Sequence, residues 1–199
     1  MSRAKIISIV LFAFGLYLTL LSPFSGGAVA AINGGYGTFD LKKYDADVFL
    51  NVMKATSNVS LYWKYYVCDF IFTAVFLNYM IQMVRGFNGT FINKVKVAAY
   101  IFAVIRGLLD TSENIILLNQ IYSYPKVNLM LIDLCNVITR IKFHFMRGWI
   151  ACFVFIIIAN IISKRRNHKN FKDENGKPIW KDTYVYAVTK DDCENLCKS

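Results

Sequence analysis

Residues 97–119 read VAAYIFAVIRGLLDTSENIILLN, and the reading of that run decides the fold. It is long enough to cross a bilayer as a helix, yet it carries Arg106, Asp110, Glu113 and Asn114. At helical spacing (i, i+4, i+3) these four share one face. An ionisable side chain at the bilayer centre costs at least about 2.5 kcal/mol unless it is paired or hydrated. The run is therefore read as a membrane helix whose charges turn away from lipid. Arg106 can pair with Asp110 one turn away, which leaves Glu113 to find a partner on another helix.

The rest of the chain supports that frame. The protein has 199 residues, enough for one domain; 56% are hydrophobic, 16% aromatic and only 18% charged, against about 25% charged in soluble domains. The apolar residues fall in long blocks. Ile6–Phe24 has no charge and follows Arg3 and Lys5. Ala28-Val29-Ala30 also fits a signal-peptide cleavage site after Ala30. The apolar run is long for a signal, so a retained helix is preferred; cleavage would leave three spans. The second block, Leu61–Val84, opens on Tyr62, Trp63, Tyr65 and Tyr66, as at the headgroup level. It holds Asp69, and opposite it Asn78 and Gln82, placed for helix–helix hydrogen bonds. The last helix runs from about Leu129 to Ser163. Its charge-free part is too short to span, so the span reaches back to about Lys142.

The expected fold is all-α: a polytopic membrane protein, an antiparallel four-helix transmembrane bundle with a short amphipathic surface helix. Residues 1–163 form the transmembrane domain, with spans at about 6–24, 61–84, 97–119 and 142–163, and residues 164–199 a basic cytoplasmic tail. The surface helix is residues 46–57, with Asp45 as N-cap and Tyr44 and Phe49 as a hydrophobic staple. Basic residues set the orientation. With the N-terminus inside, the inner side receives Arg3, Lys5, Arg85, Lys94, Lys96, Lys164, Arg165, Arg166, Lys169, Lys172 and Lys177. The outer side receives Lys42, Lys43, Lys54, Lys64 and Lys126, with Arg140 and Lys142 at most. Both termini are therefore assigned to the cytoplasm of a cell whose plasma membrane the protein crosses.

The net charge of +10 does not point to nucleic acid. The Lys and Arg sit beside apolar blocks and none of the usual nucleic-acid motifs occurs. Lys164, Arg165 and Arg166 should instead meet anionic headgroups. Cys68, Cys135 and Cys152 read as buried small hydrophobes. Cys193 and Cys197 have an i, i+4 spacing that suits a metal, but no His or further Cys lies close by, so neither metal nor cofactor is expected. In the tail, Ile179–Val188 is rich in aromatic and β-branched residues.

On the fourth helix Asp133, Asn136, Arg140, His144 and Arg147 fall on one stripe. Depth counted at about 1.5 Å per residue brings Asp69, Glu113 and Arg147 to one level in three different spans. The candidate ligand- or ion-binding residues are Asp69, Arg106, Asp110, Glu113, Asn114, Arg140, His144 and Arg147. Three functions stay open. The cluster binds an ion, a proton or a lipid-like ligand; or it only fixes helix packing in an accessory subunit of a membrane complex; or it performs acid–base chemistry on a lipid-like substrate. No HExxH, GxSxG or Walker signature supports the last.

Four short patterns occur in order: Phe39-Asp40-Leu41 in the first loop, Tyr65-x-x-x-Asp69, Asp110-x-x-Glu113-Asn114, and Thr139-Arg140-x-Lys142. Over roughly residues 5–163 their order and placement resemble small four-helix bacterial integral membrane proteins of unassigned function. The resemblance implies the topology and which polar residues matter; it supplies no reaction. The architecture is also similar to four-helix sterol-isomerase-like membrane domains, as an analogy only.

Overall fold

The computed structural model describes residues 3–42 and 44–169, without the side chains of Thr90 and residues 164–169. Among these residues the chain forms six helices: α1 Arg3–Leu20, α2 Gly26–Ile32, α3 Ala46–Ala55, α4 Ser60–Arg85, α5 Thr90–Ser123 and α6 Leu129–Lys169. The contacts group the chain into two units, residues 1–158 and 159 onward, the boundary falling within α6. In the second unit the exposed residues Ile161 and Ile162 continue the apolar helix. The tail features named above, Ile179–Val188, Cys193 and Cys197, and the side chains of Lys164, Arg165 and Arg166, lie outside the described residues.

α1, α4 and α6 are long and apolar enough to cross a membrane. α5 is longer than α1 and α4 but less apolar, because of the charges on its inner face. Its polarity runs opposite to that of a soluble helix. The exposed side is Val97, Ile101, Val104, Leu108, Ile115 and Tyr122; the buried side includes Arg106, Asp110, Glu113, Asn114 and Gln120.

Contacts between the long helices run antiparallel. On α1 and α4, Asn78 Nδ2 donates to Ser8 Oγ at 3.1 Å, and Phe12 stacks on Phe76 and Tyr79. Gly15 permits this approach: a Cβ there would stand 2.7 Å from Val75 Cγ2 and 3.1 Å from Phe72 Cδ2. Small residues at such crossings let backbones close in where lipid tails offer no hydrophobic drive. α5 and α6 meet through Phe102–Phe145 and Phe91–Phe155. The last turn of α4 is capped by cations: Lys96 Nζ donates to the carbonyls of Phe87 and Arg85, and Lys5 Nζ to that of Met83, which suits the negative end of the helix dipole.

The other end of the long helices is covered by α2, α3 and the loop between them. This Gly-rich stretch reads as loop in the sequence, but residues 26–32 are helical. Ser25 accepts from Ala28 N, and Val29 is fully buried. Gly34, Gly35 and Gly37 then take positive φ, which Gly adopts without steric cost. Asn33 secures the turn, donating to Gly37 O (2.6 Å) and Tyr62 OH (2.7 Å) and accepting from Gly37 N. At α3, Asp45 Oδ1 accepts from Val48 N at 2.8 Å. Tyr44 and Phe49 both pack on the buried Phe39. These rings continue into Tyr62, Tyr65 and Tyr66 of α4, Leu117 and Ile121 of α5, and Ile132 and Cys135 of α6.

Gly15→Val is expected to lower the thermal unfolding midpoint in detergent by prying α1 from α4. Gly27→Ala, whose new Cβ would meet only Ser25 Oγ at 3.6 Å, is the control. Equal midpoints for the two variants would contradict the close crossing.

Candidate functional site

Lys142 of α6 sits between two acids of α5. Its Nζ lies 2.7 Å from Asp110 Oδ1 and 2.5 Å from Glu113 Oε2. Arg106 Nη2 meets Asp110 Oδ2 at 3.0 Å, with the guanidinium over the Phe76 ring. Thr73 of α4 donates to Asp110 Oδ2 (2.7 Å), and the Thr139 hydroxyl of α6 donates to Glu113 Oε1. All these polar residues are buried. Breaking such a network by removing one partner leaves an uncompensated charge in a low dielectric.

Two further carboxylates adjoin it, and among the described residues both have neutral donors only. Asp69 Oδ2 accepts from Asn114 Nδ2 at 2.6 Å. Asp40 accepts from Tyr65 OH, at 3.0 Å to Oδ2 and 3.3 Å to Oδ1. Asp40 comes from the loop and reaches the membrane helices because Phe39 beside it is anchored in the aromatic core.

Asp40 and Asp69, with Leu41 and Phe72, form a wall shared by two cavities. The smaller, about 50 Å³, is closed on its far side by Arg106, Asp110, Lys142 and Phe143. The larger, about 510 Å³, opens between α1, the α2 region and α4, and is lined by apolar Leu16, Leu20 and Ala30, by the glycines at 26, 27, 35 and 37, and by Tyr36 and Tyr65. Its size is that of a small-molecule site.

Of the residues singled out from sequence, Asp69, Arg106, Asp110, Glu113 and Asn114 are buried here together. Arg140, His144 and Arg147 are not part of it: they are exposed on α6. Of the same stripe Asn136 is buried, and with Ile132, Cys135, Thr139, Lys142, Trp149 and Ile156 it makes up the buried face of that helix. Lys142 lies two residues from both Arg140 and His144, about 200° around a helix of 3.6 residues per turn, so burying Lys142 exposes those two. The depth estimate brings Asp69 and Glu113 level; the observed link runs from Asp69 to Asn114, and the cation present is Lys142, not Arg147. Apart from Arg140, every polar residue of the four short patterns (Asp40, Tyr65, Asp69, Asp110, Glu113, Asn114, Thr139, Lys142) is buried in or against this network. Asp40 was absent from the candidates; its signal was its place in a pattern shared with the span acids.

No family model, curated protein or solved structure matches the chain.

Lys142→Met is expected to cost about 3–5 kcal/mol in unfolding by denaturing detergent, whereas Arg147→Met should stay within about 0.5 kcal/mol. Similar losses for both would sink the assignment of Lys142 as the central cation. Asp40 carries a pH consequence. Burial lifts its carboxyl above the ordinary range, while Lys142 and the Thr38 hydroxyl pull it down. A carboxyl raised on folding stabilises below its unfolded pKa and loses that contribution as pH rises through the folded value. Asp40→Asn should therefore gain on the wild type as the pH rises above the ordinary aspartate pKa of about 4; a difference in midpoints that stays constant from there to neutral pH would contradict it.

Proposed function

We propose that this is a multi-pass plasma-membrane protein with four spans (α1, α4, α5 and α6) and cytoplasmic termini, and that its larger cavity binds a small molecule carried in the membrane. The fourth span rests on α5, whose apolar residues face out and whose charges face in, as bilayer solvation demands. The orientation rests on the excess of Lys and Arg at the end opposite the α2–α3 cover, which assigns the cavity to the outer half of the bundle. A kinship with small four-helix bacterial membrane proteins is supported by the convergence of the four short patterns on one network.

The observation that carries the binding reading is the shared wall. Asp40 and Asp69 face a mostly apolar cavity on one side and a closed ion-pair network on the other. Apolar walls with a few convergent polar groups are the usual make-up of a ligand site. A second reading also has its own observation. Arg106, Asp110, Lys142 and Glu113 tie α5 to α6 and, through Thr73, to α4, which is what a register-fixing network in an accessory subunit would do.

Native mass spectrometry from lipid nanodiscs separates them. The wild type is expected to retain a small molecule that the cavity-filling Ala30→Trp variant loses. Equal spectra from the two would leave only the structural reading.

A further inference from the structure

We propose that the ligand is a cation: a protonated amine on a compact apolar body, with its ammonium between Asp40 and Asp69. This rests on the larger cavity being a binding site. The charge ledger points to it. Among the described residues the buried network and its wall hold two cations, Arg106 and Lys142, against four carboxylates, Asp40, Asp69, Asp110 and Glu113. Both cations are engaged with the acids of α5. The two acids left over are the two that line the larger cavity.

The hydrogen bonding points the same way. Asp69 is only 4% exposed. Its Oδ2 takes Asn114 Nδ2, and its Oδ1 has no donor among the described residues although the residue lines the cavity. A buried carboxylate without a charged partner is costly. An ammonium has three N–H donors and no acceptor, which is the complement of these two groups. The walls select the rest of the molecule. Leu16, Leu20, Ala30 and Phe72 line the cavity beside the hydroxyl-bearing Thr19 and Thr38, a mostly apolar surface that suits a hydrocarbon body. The ring of Tyr65 lines the same space and favours a positive charge near its face; that of Tyr36 already carries Lys42 Nζ, 4.6 Å from its centroid. Lys42, also on the wall, is exposed and donates to the carbonyl of Tyr36, so water screens its charge.

The test uses three probes with one hydrocarbon body: 1-adamantylamine, 1-adamantanol and 1-adamantanecarboxylate. Each is titrated into the full chain in phosphatidylcholine nanodiscs at neutral pH, and the thermal unfolding midpoint is read. The amine is expected to raise the midpoint saturably, with half-saturation at least about tenfold below that of the alcohol or the acid. Asp69→Asn should remove that advantage while still responding to the alcohol, which shows that the variant is folded. Ala30→Trp should respond to none of the three. Equal shifts from amine and alcohol, both lost in Ala30→Trp, would overturn the cationic class and leave the cavity as a site. An amine shift reproduced by sodium chloride alone would overturn it too. No shift from any probe would overturn both this assignment and the binding reading on which it rests.

Discussion

The ammonium of Lys142, held between Asp110 and Glu113, is the contact on which the rest of the molecule depends. It gives α5 a reason to turn its charges inward and fixes which face of α6 meets them. It also supplies the positive field against which Asp40 and Asp69 stand. Three helices converge on Asp110: α5 provides it with Arg106, α6 gives Lys142, and α4 gives Thr73. A hydrophobic contact tolerates sliding by a residue. A bridged carboxylate with three partners at 2.7–3.0 Å does not, and so the antiparallel register of α4, α5 and α6 is set there.

What was legible in the sequence follows from which signals are local. Asp45 and the Tyr44–Phe49 pair announce α3 because a cap and a staple involve only neighbours along the chain. The charges of residues 97–119 announce a face because helical spacing is fixed. Asn78 was legible as a helix–helix hydrogen bond because a polar residue in a span has few other uses. The residues 26–32 were not, since a run beginning Gly-Gly argues against a helix, and only the Ser25 cap and the alanines after it say otherwise.

The candidate site divides along the same line. Its α5 half was evident from a single helix. The α6 half was not, because that helix carries two stripes at helical spacing, one with Arg140, His144 and Arg147 and one with Thr139 and Lys142. Periodicity cannot say which is turned inward; the acids of α5 decide it. Asp40 is harder still. It lies in a loop, far along the chain from Asp69, and its role exists only once Phe39 is buried and Tyr65 stands above it.

The loop's tie to the network has a consequence for how the chain is made. Asp40 emerges early, yet the lysine whose field steadies it follows about a hundred residues later, after α1, α4 and α5 have been made. Until α6 arrives, Arg106 is the one buried cation, among the described residues, of the setting that Asp40, Asp69, Asp110 and Glu113 share. The last helix to be made thus supplies the cation that completes the charge balance around a loop made long before it.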